Sequence, residues 1–306
     1  MLTHIASQTF ARFEVIVVDD GSDATSRQAY QGLLERLGDR FRVIALGIAG
    51  GPGLGPSVAR NTGIEAAKGD IVTFCDDDDV WTSDTHLAAM VEVFDNLPDV
   101  DLYIANQIAV SHLGVTERSH WLPALVDMVA NRPRAHAHGY RIALDELTRA
   151  GGFAQLNILA LRKSTTDAIG GFWTRTSYEE DRDFFWRAAD AANAVFFNPA
   201  VVAQHNVPDP ARQTNLSRTF SQPERWLLSA LVSQHIAMSV RSAAIRTLCQ
   251  VYEGDILRHL SHYWTGQGRH ALGVQYARRA LAARVSFKWA VYTSALAARQ
   301  LLRSRA

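Results

Sequence analysis

Three short apolar runs set the limits on what this chain can fold into: Val15-Ile16-Val17-Val18, Val43-Ile44-Ala45-Leu46 and Ile71-Val72-Thr73-Phe74. Each is continuous rather than alternating, and rich in β-branched residues. That is the pattern of a strand covered on both faces, as in a parallel sheet. Between the runs lie stretches with helical spacing. Residues 25–37 carry Leu33, Leu34 and Leu37 on one side, and residues 56–68 carry Val58, Ile64 and Ala67 before stopping at Gly69. A fourth run, Leu102-Tyr103-Ile104-Ala105, follows a helical pattern over 84–96. Strands alternating with helices across short loops predict a doubly wound α/β sheet. Ligands of such sheets bind beyond the carboxyl ends of the strands. The first run leads into Asp19-Asp20-Gly21-Ser22 and the third into Asp76-Asp77-Asp78-Asp79, so both acidic clusters fall where a ligand is expected.

The rest of the chain is organised differently. Residues 111–152, with Trp121, Pro123, Pro133, His136 and His138, read as loops and short helices over the site. Strands are expected at 156–161, 194–197 and 201–203, and a helix at 180–191. From Pro223 the pattern is helical to the end, broken at Gly266-Gln267-Gly268 into two halves. The expected division is a domain of residues 1–217, split near 110, followed by a helical extension over 218–306.

Composition narrows the function classes. The 306 residues hold 31 basic and 31 acidic side chains, so net charge gives no reason to bind nucleic acid. Two distant cysteines, Cys75 and Cys249, exclude a disulfide framework. The longest apolar stretch, 226–248, is interrupted by Gln234, His235, Arg241 and Arg246, short of the ~20 apolar residues a membrane span requires. The N-terminus has no secretory signal pattern, and a cytoplasmic protein is expected. The charges are nevertheless segregated. Nine basic residues and no acidic one follow Asp255, so the other 22 basic residues share 1–255 with all 31 acidic ones. An acidic body suits a cation site. A basic helical tail suits either solvent or an anionic lipid surface, where each basic residue contributes about 1 kcal/mol.

Four consecutive acids repel one another unless something neutralises them. Magnesium or manganese would do so and keep positions open for phosphate; a solvated loop or a helix N-cap is the plainer account. Asp19-Asp20-Gly21-Ser22 could bind a base or ribose, or could simply form a turn and cap. Arg60, early in a helix between the two clusters, is able to reach a diphosphate. Glu180 and Asp181 open a helix, where the dipole favours acids, yet either could take a proton from an acceptor hydroxyl. His205 ends a strand, where a metal contact is open to it.

In order, these segments resemble the family 2 glycosyltransferases, which have the GT-A fold: a Rossmann-like, mostly parallel sheet flanked by helices. The residues carrying the resemblance are Gln8-Thr9-Phe10, Phe13 to Ser22, Ala59-Arg60-Asn61-Thr62-Gly63, Gly69 to Trp81, Ile169-Gly170-Gly171-Phe172 and Glu180-Asp181. The resemblance implies an inverting transfer of sugar from a nucleotide-diphosphate donor to a hydroxyl of a glycan or lipid-linked acceptor, in cell-surface polysaccharide synthesis. It implies that Asp20 contacts the base and Arg60 the nucleotide diphosphate. Asp76-Asp77-Asp78 matches the DxD element, with Asp78 on a Mn2+ or Mg2+ ion and Asp76 or Asp77 on the ribose. His205 would complete the metal shell, and Asp181 would be the catalytic base. Family members begin with one further strand. Here Met1 falls within what corresponds to the first helix, so that strand is expected to be lacking, leaving an apolar edge and an open base pocket. Gln222-Pro223-Glu224-Arg225-Trp226 resembles a motif of processive synthases, but those enzymes carry membrane helices. Two other readings are a catalytically impaired nucleotide-sugar-binding relative and a nucleotidyltransferase. The second is disfavoured because the glycine-rich stretch Gly50–Gly55 follows the second strand and lacks a nearby lysine.

Overall fold

The computed structural model describes residues 1–209 and 219–303. The chain divides into two compact units, Met1–Arg212 and Gln213–Ala306. The boundary expected at 217/218 lies outside the described residues.

The first unit runs α1 (Leu2–Ala6), β1 (Val15–Asp19), α2 (Ala24–Leu37), β2 (Phe41–Ala45), α3 (Pro56–Ala66), β3 (Ile71–Thr73), β4 (Val80–Trp81), α4 (His86–Asn96), β5 (Val100–Val110), β6 (Thr116–Arg118), α5 (Pro123–Val129), β7 (Tyr140–Ile142), α6 (Leu144–Ala150), β8 (Leu159–Arg162), α7 (Lys163–Ala168), α8 (Glu180–Ala191) and β9 (Ala194–Asn206). Helix starts follow local chemistry. Asp23 caps α2 by accepting the Ser26 N–H at 2.8 Å, and α3 opens with Pro56 in the first turn.

The α/β class with helices around a sheet is as expected from the sequence, but the pairing is mixed rather than mostly parallel. One sheet has strand order β3-β8-β5-β9-β4, with β6 beside β5 and β7 beside β9; β1 and β2 form a separate pair. The β1–β2 and β5–β9 pairs are parallel, whereas β3–β8, β4–β9, β5–β6, β5–β8 and β7–β9 are antiparallel. A continuous apolar run reports burial on both faces and is silent about the direction of its neighbour.

Burial follows the number of neighbours. Central β5 is flanked by β8 and β9, and Leu102, Tyr103, Ile104 and Ala105 are fully enclosed, together with Phe184, Phe185 and Trp186 of α8 and Phe196 and Phe197 of β9. Each such side chain stabilises the fold by roughly 1.5–3 kcal/mol. By contrast, among the described residues β1 pairs with β2 alone, and Val15–Val18 are half-buried. Two local readings are revised. Residues 156–158 form a 3-10 turn before β8. The two short strands expected at 194–203 are one strand, because Asn198 bridges the irregularity at Pro199: its side chain donates to the Tyr103 hydroxyl (2.8 Å) and accepts from the Ala200 N–H (2.9 Å).

Among the described residues the second unit holds four helices: α9 (Gln222–Ser239), α10 (Ala243–Gly266), α11 (His270–Ala283) and α12 (Phe287–Arg303). Its core gathers Leu257, Leu260, Ala277, Ala280, Trp289 and Leu296. Gly273 lets α10 and α11 approach closely, since a Cβ there would lie 2.2 Å from the Thr265 hydroxyl. No helix among the described residues is long and apolar enough to cross a membrane.

Candidate active site

The tip of β1 carries two acids with different surroundings. Asp19 is buried and accepts from the Ser22 N–H (2.8 Å) and the Tyr30 hydroxyl (2.5 Å), with Arg27 Nε 2.6 Å away. Burial alone would raise its pKa; the hydrogen bonds from Tyr30 and Ser22, with Arg27, outweigh that and hold it at about 2. Asp19 therefore ties β1 to α2. Asp20 grips the glycine-rich stretch instead, accepting the N–H groups of Leu54 and Gly55, each at 2.7 Å. Glycine is required at two points of that clasp. A Cβ on Gly53 would lie 2.7 Å from Asp20 Oδ2, and Gly21 has φ +100° against the Gly51 carbonyl. Gly55 then caps α3, so Asp20 fixes where α3 begins.

One turn into α3, Arg60 joins the two acidic regions. Its Nη2 donates to Asp76 Oδ1 at 2.9 Å and its Nη1 to Glu180 Oε1 at 2.8 Å, with the guanidinium 5.5 Å above the Phe172 ring. Burial opposes its charge, but Asp76 and Glu180 more than compensate and raise its pKa. Next to it, Asn61 clasps the loop before α8: its Nδ2 donates to the Phe172 carbonyl (2.9 Å) and its Oδ1 accepts the Phe172 N–H (2.7 Å). Arg187 of α8 holds the same loop from the other side, donating to the carbonyls of Ile169 (2.7 Å) and Gly171 (2.8 Å). Its charge is balanced by the fully buried Asp183.

The acidic turn is shaped by strand pairing. In the β4–β9 ladder Val80 faces Gln204 and Trp81 faces Ala203, which carries His205 and Asn206 alongside Asp79. Asp79 is buried. It accepts from the Asn206 N–H (2.9 Å) and the Asn157 side chain (3.1 Å), and lies 3.0 Å from His205 Nδ1. That contact orients the imidazole; a carboxylate that holds one ring nitrogen is the arrangement that can present the other to a metal. Burial works against the charged His205 ring, but Asp79, Asp78 and Asp76 raise its pKa. The Asp78 carbonyl takes the Asn206 side-chain N–H, while the Asp77 and Asp78 side chains stay exposed. Although the residue is exposed, partial desolvation of its carboxyl within the turn and repulsion from Asp79, Asp76 and Asp77 push Asp78 up to about 6. A carboxylate under that repulsion beside an oriented imidazole fits a divalent cation. The same surroundings push the Cys75 thiol up to about 12, which removes it as a nucleophile.

The start of α8 supplies the remaining acids. Glu179 precedes the helix in the left-handed region, φ 56°, a conformation that costs a non-glycine residue energy and here turns the chain so that Glu180 and Asp181 open the helix. Burial and the neighbouring Glu180 raise Asp181 to about 7, against the opposing Arg182 N–H (2.8 Å) and Arg60. This carboxyl group changes charge near neutrality, the property a proton acceptor needs.

The structure thus links Arg60, Asp76 and Glu180 directly, and sets Asp181 beside Glu180. Asp78 and His205 are joined to each other through Asp79 and Asn206, and Asp20 is tied to the start of α3. Asp77 is on the same turn. Asp79, Asn206, Asn157, Asn61 and Arg187 escape sequence reasoning as site residues. The fourth acid in the tetrad was the one available signal for Asp79. Trp121, from the irregular middle, reaches the His205 ring at 5.7 Å between centroids. Gln222 to Trp226 lies in the second unit as the first turn of α9, where Glu224 accepts the Ser221 N–H (2.7 Å) and Trp226 stacks on His259.

Comparison with known proteins bears on the family and the fold. Residues 1–180 match the model of the family described as Glycosyl transferase family 2. The succinoglycan biosynthesis protein ExoW of Rhizobium meliloti is 39% identical over 90 residues, 29% of this chain and 27% of that protein. The putative glycosyltransferase EpsH of Bacillus subtilis is 35% identical over 109 residues, 35% of this chain and 29% of its own length. The matched stretches therefore span less than a third of these relatives. Among solved structures, S. aureus TarS 1–349 in complex with UDP-GlcNAc superposes with a TM-score of 0.60 over 92% of this chain and 76% of that one, at 16% identity, a likeness of fold.

Proposed function

This chain belongs to glycosyl transferase family 2, and from that premise we propose that it transfers a sugar from a nucleotide-diphosphate donor to a hydroxyl of a glycan or lipid-linked acceptor, with inversion, in cell-surface polysaccharide synthesis. The observation that carries the proposal is the bridge made by Arg60. By contacting Asp76 and Glu180 together, it couples the acidic turn to the helix start that bears Asp181. The complex of TarS with UDP-GlcNAc and the role named for ExoW support the donor class and the kind of pathway.

Asp78 and His205 Nε2 would hold Mn2+ or Mg2+, which when bound neutralises charge on the diphosphate leaving group. Asp20, Asp76 and Asp77 would face the nucleoside. Arg60 gives up part of its hold on Asp76 to meet the diphosphate, at a site where its charge is already secured. Asp181 accepts the proton of the acceptor hydroxyl as that oxygen attacks the anomeric carbon on the face opposite the leaving group. Glu180, paired to Arg60, keeps the Asp181 carboxyl from ionising too readily. The exposed Phe287, Val291, Leu301 and Leu302, with exposed Arg284, Lys288 and Arg299, support peripheral contact with the inner, anionic face of a membrane.

The test is a transfer assay with nucleotide sugars on purified protein, run beside Asp181→Asn. The expected result is metal-dependent turnover in the parent, and donor binding without turnover in the variant. Equal turnover of both proteins would remove Asp181 from its role.

A further inference from the structure

Away from these residues, α4 and the hairpin that precedes β7 bring together three ligating side chains, Glu92, His136 and His138. His138 Nε2 lies 2.9 Å from Glu92 Oε2, and His136 Nε2 lies 3.6 Å from Glu92 Oε1. One ligand atom from each residue lies within 4.8 Å of the other two. Both rings thus present the same nitrogen to one carboxylate.

The backbone explains the convergence. Side chains two apart on a strand share a face but run parallel, some 6–7 Å apart. Here the chain curls instead. Gly139 N–H donates to the His136 carbonyl (3.0 Å), and the N–H groups of Ala135 (2.9 Å) and His136 (3.3 Å) donate to the Gly139 carbonyl, which brings the ring centroids to 5.3 Å. The hairpin is seated directly on β9, because a Cβ on Gly139 would lie 2.1 Å from the Phe197 carbonyl oxygen. His136 packs edge-on against Phe196. Glu92 projects from a helix whose other side buries Leu87, Met90, Val93 and Phe94. The three ligands therefore sit on elements fixed by the core, as a metal site requires. His138 also lines a cleft of about 440 Å³, which gives an ion a way in.

We infer that Glu92, His136 and His138 bind a zinc ion at a site separate from the acidic turn. Two imidazoles and one carboxylate suit zinc, whereas magnesium and manganese prefer the oxygen-rich set at Asp76–Asp79. Three protein ligands leave the fourth position to water. Binding displaces the proton shared between His138 and Glu92 and the long 3.5 Å contact of the Asn96 side-chain amide with His136 Nε2. His136 must then carry its proton on Nδ1, so it gives up the long 3.4 Å contact with the His138 N–H. The bound ion would clip α4 to the β7 hairpin.

Zinc titration followed by calorimetry, on tag-free full-length protein carrying Asp78→Ala and His205→Ala, isolates this site from the acidic turn. One zinc per chain is expected. Glu92→Gln should weaken affinity by at least about tenfold, and His136→Ala with His138→Ala should abolish binding. X-ray absorption at the zinc edge of the zinc-loaded protein does not depend on how the variants fold, and should show imidazole nitrogen and carboxylate oxygen at about 2.0–2.2 Å. The inference is overturned by absence of stoichiometric zinc, by unchanged binding in the double histidine variant, or by a spectrum without imidazole.

Discussion

Burial and the adjacent Glu180 raise the Asp181 carboxyl, at the start of α8, to about 7. The consequence for pH follows from the sign of that shift. Below about 7 the group is neutral and cannot accept a proton, so kcat/KM for transfer should fall about tenfold per pH unit on the acid side and level off above it. Asp181→Asn should lower kcat by about 10²- to 10⁴-fold while leaving donor affinity unchanged, measured by initial rates and calorimetry. Its effect on stability runs the other way. A folded-state pKa raised from 3.8 to about 7 gives stability that is present in acid and lost as pH rises through that window. Denaturant melts should therefore show the variant more stable than the parent at pH above 7 and equal to it below the ordinary carboxylate range. Asp79→Asn should act through His205, weakening metal-dependent nucleotide binding by about 10- to 100-fold. The places of Arg60 between the acidic clusters and of Asp181 at a helix start were legible from motif order. Asp79, Asn206 and Arg187 were not, because their roles exist only once β4 pairs with β9 and α8 docks on the loop over residues 169–172, contacts far apart in sequence.

Elements tell a similar story. The run Val15–Val18 announces a strand, and the structure contains it, yet its burial could not be read locally because that depends on how many strands flank it; among the described residues β1 has β2 alone. The loop between α7 and α8 shows how two adjacent glycines can differ. Gly170 and Gly171 both have positive φ, +70° and +68°, but a Cβ on Gly170 meets open space whereas one on Gly171 would lie 2.4 Å from Asn61 Oδ1. Gly170→Ala should cost only the left-handed backbone term, about 1–2 kcal/mol. Gly171→Ala should cost more and should also lower transfer activity, because Asn61 would release Phe172 and shift α3 with Arg60. Equal urea midpoints for the two variants would contradict this account of the loop. Removing Arg187 takes away the ion pair to the buried Asp183 and the two hydrogen bonds to the Ile169 and Gly171 carbonyls, so Arg187→Ala should destabilise the protein by about 3–5 kcal/mol in the same measurement.

The whole molecule separates charge between its two units. The first carries the acidic turn; the second ends in α11 and α12, whose sequences hold basic residues and no acidic one. On the membrane reading, Lys288→Glu with Arg299→Glu should reduce co-sedimentation with anionic vesicles by at least about tenfold, at roughly 1 kcal/mol per basic residue, and leave binding to neutral vesicles unchanged. The α/β class and the place of the acidic clusters at strand ends were open to sequence reasoning, since both follow from apolar periodicity and chain order. Strand direction and the four-helix composition of the second unit were not, since they are fixed by packing partners. Under the proposed function, the acidic turn and His205 act together as the seat of a cation that holds a nucleoside diphosphate. Calorimetric titration of nucleoside diphosphates, with manganese and with chelator, tests this most directly in the parent and in Asp78→Ala. The account predicts binding that requires manganese and is lost in the variant; binding of equal strength with chelator, or in Asp78→Ala, would contradict it.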